Sequence, residues 1–249
     1  MANYKLLHGD CLELMKEIPD KSIDMILCDL PYGTTKCKWD IQIPLNLLWK
    51  QYERVIKDNG AILLFAQTPF DKVLGCSNLK LLSYEWIWEK TQATGHLNAK
   101  KMPMKAQENI LVFYKKVPTY NPQKTTGHKP INSYTKYIST QNKTELYGCL
   151  KKQISGGGET DRYPRSVVTF ASDKQTCYLH PTQKPVALLE YLIRTYTNEG
   201  EVVLDNCMGS GSTGVACLNT NRNFIGMELD EKNFTIAKLR IEEAKPITS

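Results

Sequence analysis

The stretch Glu201-Val202-Val203-Leu204-Asp205-Asn206-Cys207-Met208-Gly209-Ser210-Gly211-Ser212-Thr213-Gly214 decides the fold. Its opening residues, Glu201 to Leu204, read as a strand. Gly209, Gly211 and Gly214 then fit GxGxxG, and a helix is expected from there to about Asn219. Glycines at the turn of a strand–turn–helix unit let the backbone come close to a ligand at a helix N-terminus. The next expected strand, Phe224 to Met227, ends in Glu228, which is placed to accept hydrogen bonds from ribose hydroxyls. A last helix is expected to start at Asp230. Asp205 discriminates between cofactors: the pyrophosphate of NAD would face its carboxylate at close range, an unfavourable arrangement. S-adenosylmethionine has no phosphate and carries an ammonium and a sulfonium that a carboxylate attracts. The cofactor-binding candidates are therefore Asp205, Gly209, Ser210, Gly211 and Glu228.

Only 35 residues follow Gly214, too few for the further strands of a full dinucleotide fold, so the rest of the sheet must come from the N-terminal side. There Tyr4 to Leu7 reads as a strand. Asp10-Cys11-Leu12-Glu13 has the form of a helix capping box. Ile23 to Cys28 is an apolar run of strand length. Leu45, Leu48, Trp49, Tyr52, Val55 and Ile56 follow a helical period, with Gly60 where a C-terminal cap is expected, and Ala61 to Ala66 returns as a buried strand. Pro69 is expected to open another helix. Tyr84, Trp86 and Trp88 alternate as a half-buried strand does, and Asn109 to Lys116 looks like its partner after an 18-residue loop. Pro185 opens a helix carrying Leu188, Leu189, Leu192, Ile193 and Tyr196. Alternating strands and helices predict an α/β domain of three layers around a parallel sheet.

Length and composition exclude several classes. At 249 residues, 41% hydrophobic and 23% charged, the chain has the composition of an average globular protein, which argues against both a disordered tail protein and a membrane protein. No apolar run approaches the roughly 18 residues a membrane-spanning helix needs, and Met1 to Lys5 does not open a signal peptide. The eight cysteines lack the spacing of a zinc knuckle or redox pair, so free thiols in a reducing, cytoplasmic compartment are expected, and no metal.

The strand Ile23 to Cys28 runs into Asp29-Leu30-Pro31-Tyr32-Gly33, a good turn sequence in its own right. Together with the motifs around it, this turn is similar to the DPPY or SPPY box of the beta-class amino-methyltransferases of DNA, phage-type adenine-N6 enzymes in particular. The resemblance runs through Gly9-Asp10, the Asp29 box, Trp88 to Lys90, Glu108 to Tyr114, His180-Pro181-Thr182-Gln183-Lys184-Pro185, the Asp205 glycine turn and Gly226-Met227-Glu228. The catalytic motif precedes the cofactor motif, a circular permutation.

The resemblance implies a Rossmann-like class I methyltransferase fold, whose seven-stranded, mostly parallel sheet has the order 3-2-1-4-5-7-6. The strands ending at Asp29 and Asp205 would then be neighbours. It further implies that Asp29 and the Leu30 carbonyl accept the two hydrogens of an exocyclic amine, and that Tyr32 offers a face for the flipped base. Pro31 fixes where the Leu30 carbonyl points. Asp10 resembles a residue that reaches the cofactor adenine, and a helix cap could do both. Lys184 resembles a residue near the methionine end of the cofactor, next to a helix-opening Pro185. Leu30 departs from the family's first proline, and Asn206 and Cys207 depart from its Pro and Phe.

Between Lys115 and Gln175, eleven Lys and Arg stand against four Asp and Glu, so the chain's net charge of +6 belongs to this segment. Tyr120, Tyr134, Tyr137, Tyr147, Tyr163 and Phe170 interleave with it, a composition suited to phosphate contact and base stacking. The expected division is a catalytic half over 1–116, an inserted target-recognition region over 117–175, with Lys151, Lys152, Arg162 and Arg165 as DNA contacts, and a cofactor half over 176–249. The expected partners are double-stranded DNA and, as a candidate, a second copy of the chain, in a bacterial or phage-infected cell. The expected activity is methyl transfer from S-adenosylmethionine to adenine N6 in DNA. Cytosine-N4 methylation, a nicotinamide oxidoreductase and a non-catalytic DNA-binding protein are the rivals.

Overall fold

The computed structural model describes residues 2–33, 42–131, 134–136, 154–172 and 183–244. In chain order its elements are β1 (Tyr4–His8), α1 (Cys11–Leu14), β2 (Ile23–Asp29), α2 (Leu45–Val55), β3 (Ile56–Ala66), α3 (Phe70–Ser77), β4 (Leu82–Thr94), β5 (Lys105–Phe113), β6 (Tyr134–Lys136), β7 (Ile154–Gly156), β8 (Val167–Phe170), α4 (Val186–Tyr196), β9 (Val202–Asp205), α5 (Ser212–Asn219), β10 (Asn223–Glu228) and α6 (Glu231–Glu243).

The main sheet has the order β1-β10-β9-β2-β3-β5-β4-β8. Only β5 runs antiparallel, to both β3 and β4. Its first seven strands reproduce the implied order, and β8, parallel to β4, adds an eighth at the edge. Val167–Phe170 is too short to announce itself by periodicity inside a basic, turn-rich segment. Trp88 secures it, its indole N–H donating to the Phe170 carbonyl at 3.0 Å.

Both faces of the central strands are buried, which is why β2 and β3 read as unbroken apolar runs. Alternate residues face opposite cores. Ile26, Cys28, Ile62 and Leu64 pack with α2 and α3, while Met25, Leu27, Leu63 and Phe65 pack with α4, α5 and α6.

Two local expectations are corrected. Gly60 does not cap α2. The helix ends at Val55 and β3 starts at once, with the β2–β3 register shifting between Ile23↔Ile56 and Met25↔Ala61. Gly60 sits in that irregularity, where a Cβ would lie 2.8 Å from the Asp24 carbonyl oxygen. The loop between β4 and β5 is also shorter than expected, residues 95–104, because both strands extend past their apolar cores.

The chain separates into two compact units, Pro122–Pro164 and the remainder. In the small unit β6 pairs antiparallel with β7, and Thr125 bridges Arg162.

Candidate active site

Four neighbouring strands, β1, β10, β9 and β2, bring carboxylates to one edge of the sheet. In that order they are Asp10, just beyond β1, then Glu228, Asp205 and Asp29, each closing its strand. Ligands of open α/β sheets bind outside the carboxyl ends of the strands, where the chain's winding reverses.

Around Asp205 the arrangement is local. Its Oδ2 accepts from the Thr213 hydroxyl at 2.6 Å and its Oδ1 from the Cys207 N–H at 3.1 Å. Burial pushes its carboxyl up to about 6, against those two donors. Glu228 closes the turn from the next strand, its Oε2 accepting from the Gly209 N–H and its Oε1 from the Asp230 N–H, each at 2.9 Å. Burial raises this carboxyl too.

The glycines divide the work. Gly209 (φ +52°) has no atom of the described residues near where a Cβ would stand, Gly211 (φ +79°) adopts the left-handed conformation that starts α5, and Gly214 lets Ile241 and Phe224 pack against α5. Ser210 is buried, its carbonyl and hydroxyl oxygens taking the Arg240 guanidinium at 2.7 and 3.0 Å. Asp10 caps α1, accepting from the Leu12 N–H at 2.8 Å, and stays exposed.

Asn206 and Cys207, which depart from the family pattern, find partners. The Tyr52 hydroxyl donates to Asn206 Oδ1 at 2.5 Å, and Asn206 Nδ2 donates to the sulfurs of Cys11 and Cys207. A polar network thus ties this turn to Tyr52 of α2 and Cys11 of α1.

Around Asp29 the arrangement is long-range. Tyr32 donates its hydroxyl to Oδ1 at 2.7 Å and stacks on Phe70, with ring centroids 5.0 Å apart. Lys184 reaches Oδ2 at 2.5 Å, and its ammonium lies 3.2 Å from Glu108 Oε2 and 5.1 Å from the centre of the Phe65 ring. Lys90 completes the row at 2.5 Å from Glu108 Oε1. Burial raises the Asp29 carboxyl, outweighing the Lys184 ammonium. Burial works to lower Lys184, but Asp29 and Glu108 reverse this and keep it charged. Burial would raise Glu108, and its two lysines hold it below the usual range. A cavity of about 260 Å³ opens beside Glu108, lined by Gln67, Thr68 and residues 103–109. Leu30 is buried behind the turn and Pro31 is half-buried.

Sequence reading gave Glu108 and Lys90 no role. Both lie in segments through which the family resemblance runs, and each sets a charge against apolar neighbours, in Trp88-Glu89-Lys90 and just before Asn109-Ile110-Leu111-Val112-Phe113.

Of the expected DNA contacts, Lys151 and Lys152 lie outside the described residues. Arg162 donates to the carbonyls of Lys129, Glu159 and Asp161, tying its own unit together, whereas Arg165 is exposed. Among the described residues no cluster of His, Cys, Asp or Glu could hold a metal ion, and no helix is long and apolar enough to cross a membrane.

A mixed sheet in this order, with an acidic glycine turn beside an Asp-Leu-Pro-Tyr turn, defines a class I methyltransferase. Residues 23–239 match the family of DNA methylases acting at N6 or N4, and the chain belongs to that family. It is an S-adenosylmethionine-dependent DNA methyltransferase. Among its relatives, the DNA adenine methyltransferase YhdJ of Escherichia coli K12 is 28% identical over 96% of this chain and 83% of its own length. Two solved structures share the fold. The M1.HpyAVI–SAM complex has a TM-score of 0.65 at 24% identity, covering 96% of this chain and 98% of that one. The cytosine-N4-specific PvuII DNA methyltransferase has a TM-score of 0.68 at 15% identity, covering 96% and 86%.

The residues present fit the cofactor. Open space at Gly209 leaves the backbone free to approach a ligand, and the carboxylate row suits hydroxyl and cationic groups better than phosphate.

Proposed function

We propose that this enzyme methylates N6 of an adenine flipped out of duplex DNA, with Asp29, the Leu30 carbonyl and Tyr32 holding the base and the β9–β10 edge holding the cofactor. The observation that carries this reading is the adjacency of β2 and β9, which sets the Asp29 turn beside the Asp205 turn. Bound S-adenosylmethionine supplies an electrophilic methyl group. An exocyclic amine is a poor nucleophile because its lone pair is delocalised into the ring. Accepting its two N–H hydrogens at Asp29 and at the Leu30 carbonyl orients that lone pair, and orientation is the protein's main contribution to a displacement of this kind. The burial that raises the Asp29 carboxyl suits it to take the proton the amine releases once methylated. Stacking on Tyr32, which Phe70 backs from within the protein, offsets part of the few kcal/mol that flipping costs.

Glu228 and Asp10 serve the ribose and adenine of the cofactor, Asp205, Gly209, Ser210 and Gly211 frame it, and Lys184 lies towards its methionine end. The basic segment within 117–175, with Lys151, Lys152, Arg162 and Arg165, serves as the target-recognition region. A second copy of the chain is a candidate partner, tested by sedimentation with and without DNA. Free thiols at Cys11, Cys28, Cys207 and Cys217 suit the cytoplasm of a bacterial or phage-infected cell.

The test is mass spectrometry of nucleosides from DNA methylated by the purified protein. N6-methyladenine is expected. N4-methylcytosine would overturn the base assignment and keep the chemistry, while 5-methylcytosine would overturn both, because carbon methylation needs a covalent nucleophile.

A further inference from the structure

Glu108 is a carboxylate with 6% of its side chain exposed, on the antiparallel strand of an otherwise parallel sheet. Because β5 runs backwards, its N-terminal half lies at the carboxyl ends of the parallel strands, which places Glu108 in the reaction zone. A buried ion pair is often no more stable than apolar residues of the same size, so fold stability alone gives weak reason for Lys90, Glu108 and Lys184 to meet here.

The two oxygens of Glu108 differ. Oε1 takes Lys90 at 2.5 Å. Oε2 is buried and, among the described residues, makes no hydrogen bond, yet it stands 3.2 Å from the Lys184 ammonium, which is itself committed to Asp29 at 2.5 Å. Lys184 therefore sits between two carboxylates, bonded to one and within reach of the other. Meanwhile both oxygens of Asp29 are engaged, by Lys184 and by the Tyr32 hydroxyl.

We propose that Glu108 is a positioning residue for methyl transfer: its Oε2 is the seat to which the Lys184 ammonium moves when the target amine takes its place at Asp29. Lys90 anchors the other oxygen, so the carboxylate stays where Lys184 can find it. The exchange keeps two cations and two anions together throughout, and no charge is left buried and alone. This inference rests on the reading of Asp29 as the acceptor of the amine.

The groups facing Asp29 are Lys184 ahead of α4, Glu108 on β5, Tyr32 in its own turn and Asp205 on β9. Of these, Glu108 raises the Asp29 carboxyl by its charge and Lys184 lowers it, while Asp29 in turn raises Asp205.

Glu108→Gln keeps the shape and removes the charge, leaving Lys184 on Asp29. The expected result is a kcat lower by about tenfold or more, with cofactor Kd and DNA KM within about twofold of the parent enzyme. The acidic limb of the kcat–pH profile should also move to lower pH, because Asp29 loses a neighbouring negative charge. Glu108→Asp should recover part of kcat. Since Glu108→Gln strands the Lys90 ammonium, Lys90→Gln/Glu108→Gln restores the charge balance, and the low kcat and shifted limb should persist in it. An unchanged kcat per active site, an unmoved limb, or recovery in the double variant would overturn the proposal. Asp29→Asn, measured alongside, separates the two levels. If Asp29→Asn methylates normally the reading of Asp29 fails. If it is inactive while Glu108→Gln is normal, only the role of Glu108 fails.

Discussion

At the end of β9, Asp205 takes its hydroxyl donor from a residue eight positions along the chain, whereas at the end of β2, Asp29 takes its ammonium from a residue 155 positions away. The Asp205 turn is satisfied largely by its own backbone and by Glu228 of the next strand, so it is complete before any ligand arrives. The Asp29 turn is satisfied by side chains, its own Tyr32 and the distant Lys184, a long cation that has a second carboxylate, Glu108, within reach. A site that only binds gains from being fixed. One that must admit a base and assist a reaction gains from contacts that yield.

The widest separation of these two turns should come from Asp29→Ala. Loss of the amine acceptor is expected to lower methyl transfer by about 10² to 10³-fold, comparable to losing one preorganised polar contact elsewhere in enzymology. Cofactor affinity measured by calorimetry should stay within about threefold, a difference under 1 kcal/mol. A loss of cofactor affinity as severe as that caused by Asp205→Ala would erase the distinction.

Asp205→Ala and Glu228→Gln attack the fixed turn. Each removes a charged partner worth about 1.5 to 3 kcal/mol, so cofactor affinity is expected to fall roughly 10 to 100-fold. Asp205 adds a pH signature. Its carboxyl, pushed up to about 6 by burial, is neutral below that pH and attracts a cationic cofactor only above it. Affinity should be fully present above pH 6 and decline as pH falls through it, and Asp205→Asn should flatten that dependence. For the cofactor-free protein the sign is reversed. A carboxyl raised on folding contributes stability below its unfolded value near 4, lost as pH rises through about 6.

The contrast also explains what could be read in the chain. Asp29, Asp205 and Glu228 each close a short apolar run, and a strand end is a local feature. The Glu108 and Lys90 pair depends on which strands adjoin. Trp88 registers with Glu108 across β4 and β5, and Lys184 arrives from a segment some 76 residues further on, so no window of sequence contains the cluster. Gly60 departs from its local signal for a related reason. Glycine past a helical period is a good cap signal, but this one is set by the approach of the Asp24 carbonyl from another strand.

Gly60 and Gly209 should respond differently to substitution. At Gly60 a Cβ would meet backbone at 2.8 Å and the Ile56 side chain at 2.7 Å, so Gly60→Ala should cost about 1 to 3 kcal/mol of stability. Thermal unfolding should read this as a drop of several degrees, with cofactor affinity of the folded fraction unchanged. At Gly209 nothing among the described residues opposes a Cβ, although the positive φ disfavours one by about 1 kcal/mol. Gly209→Ala should therefore cost less stability and more cofactor affinity, since the added methyl enters the space kept for the ligand. The reverse pattern would place the ligand elsewhere.

The smallest effect concerns the basic segment, whose proposed DNA contacts rest on charge and not on a single constellation. Each phosphate neutralised on duplex DNA contributes about −0.9 to the slope of log affinity against log salt. If Lys151 and Lys152 each neutralise one phosphate, replacing both by Ala should flatten that slope by about 1.8 and weaken binding similarly on any sequence. Neither residue touches a reacting atom in this reading, so turnover at saturating DNA should be retained. An unchanged slope would remove the pair from the interface, and a loss confined to one DNA sequence would turn them from phosphate contacts into base readers.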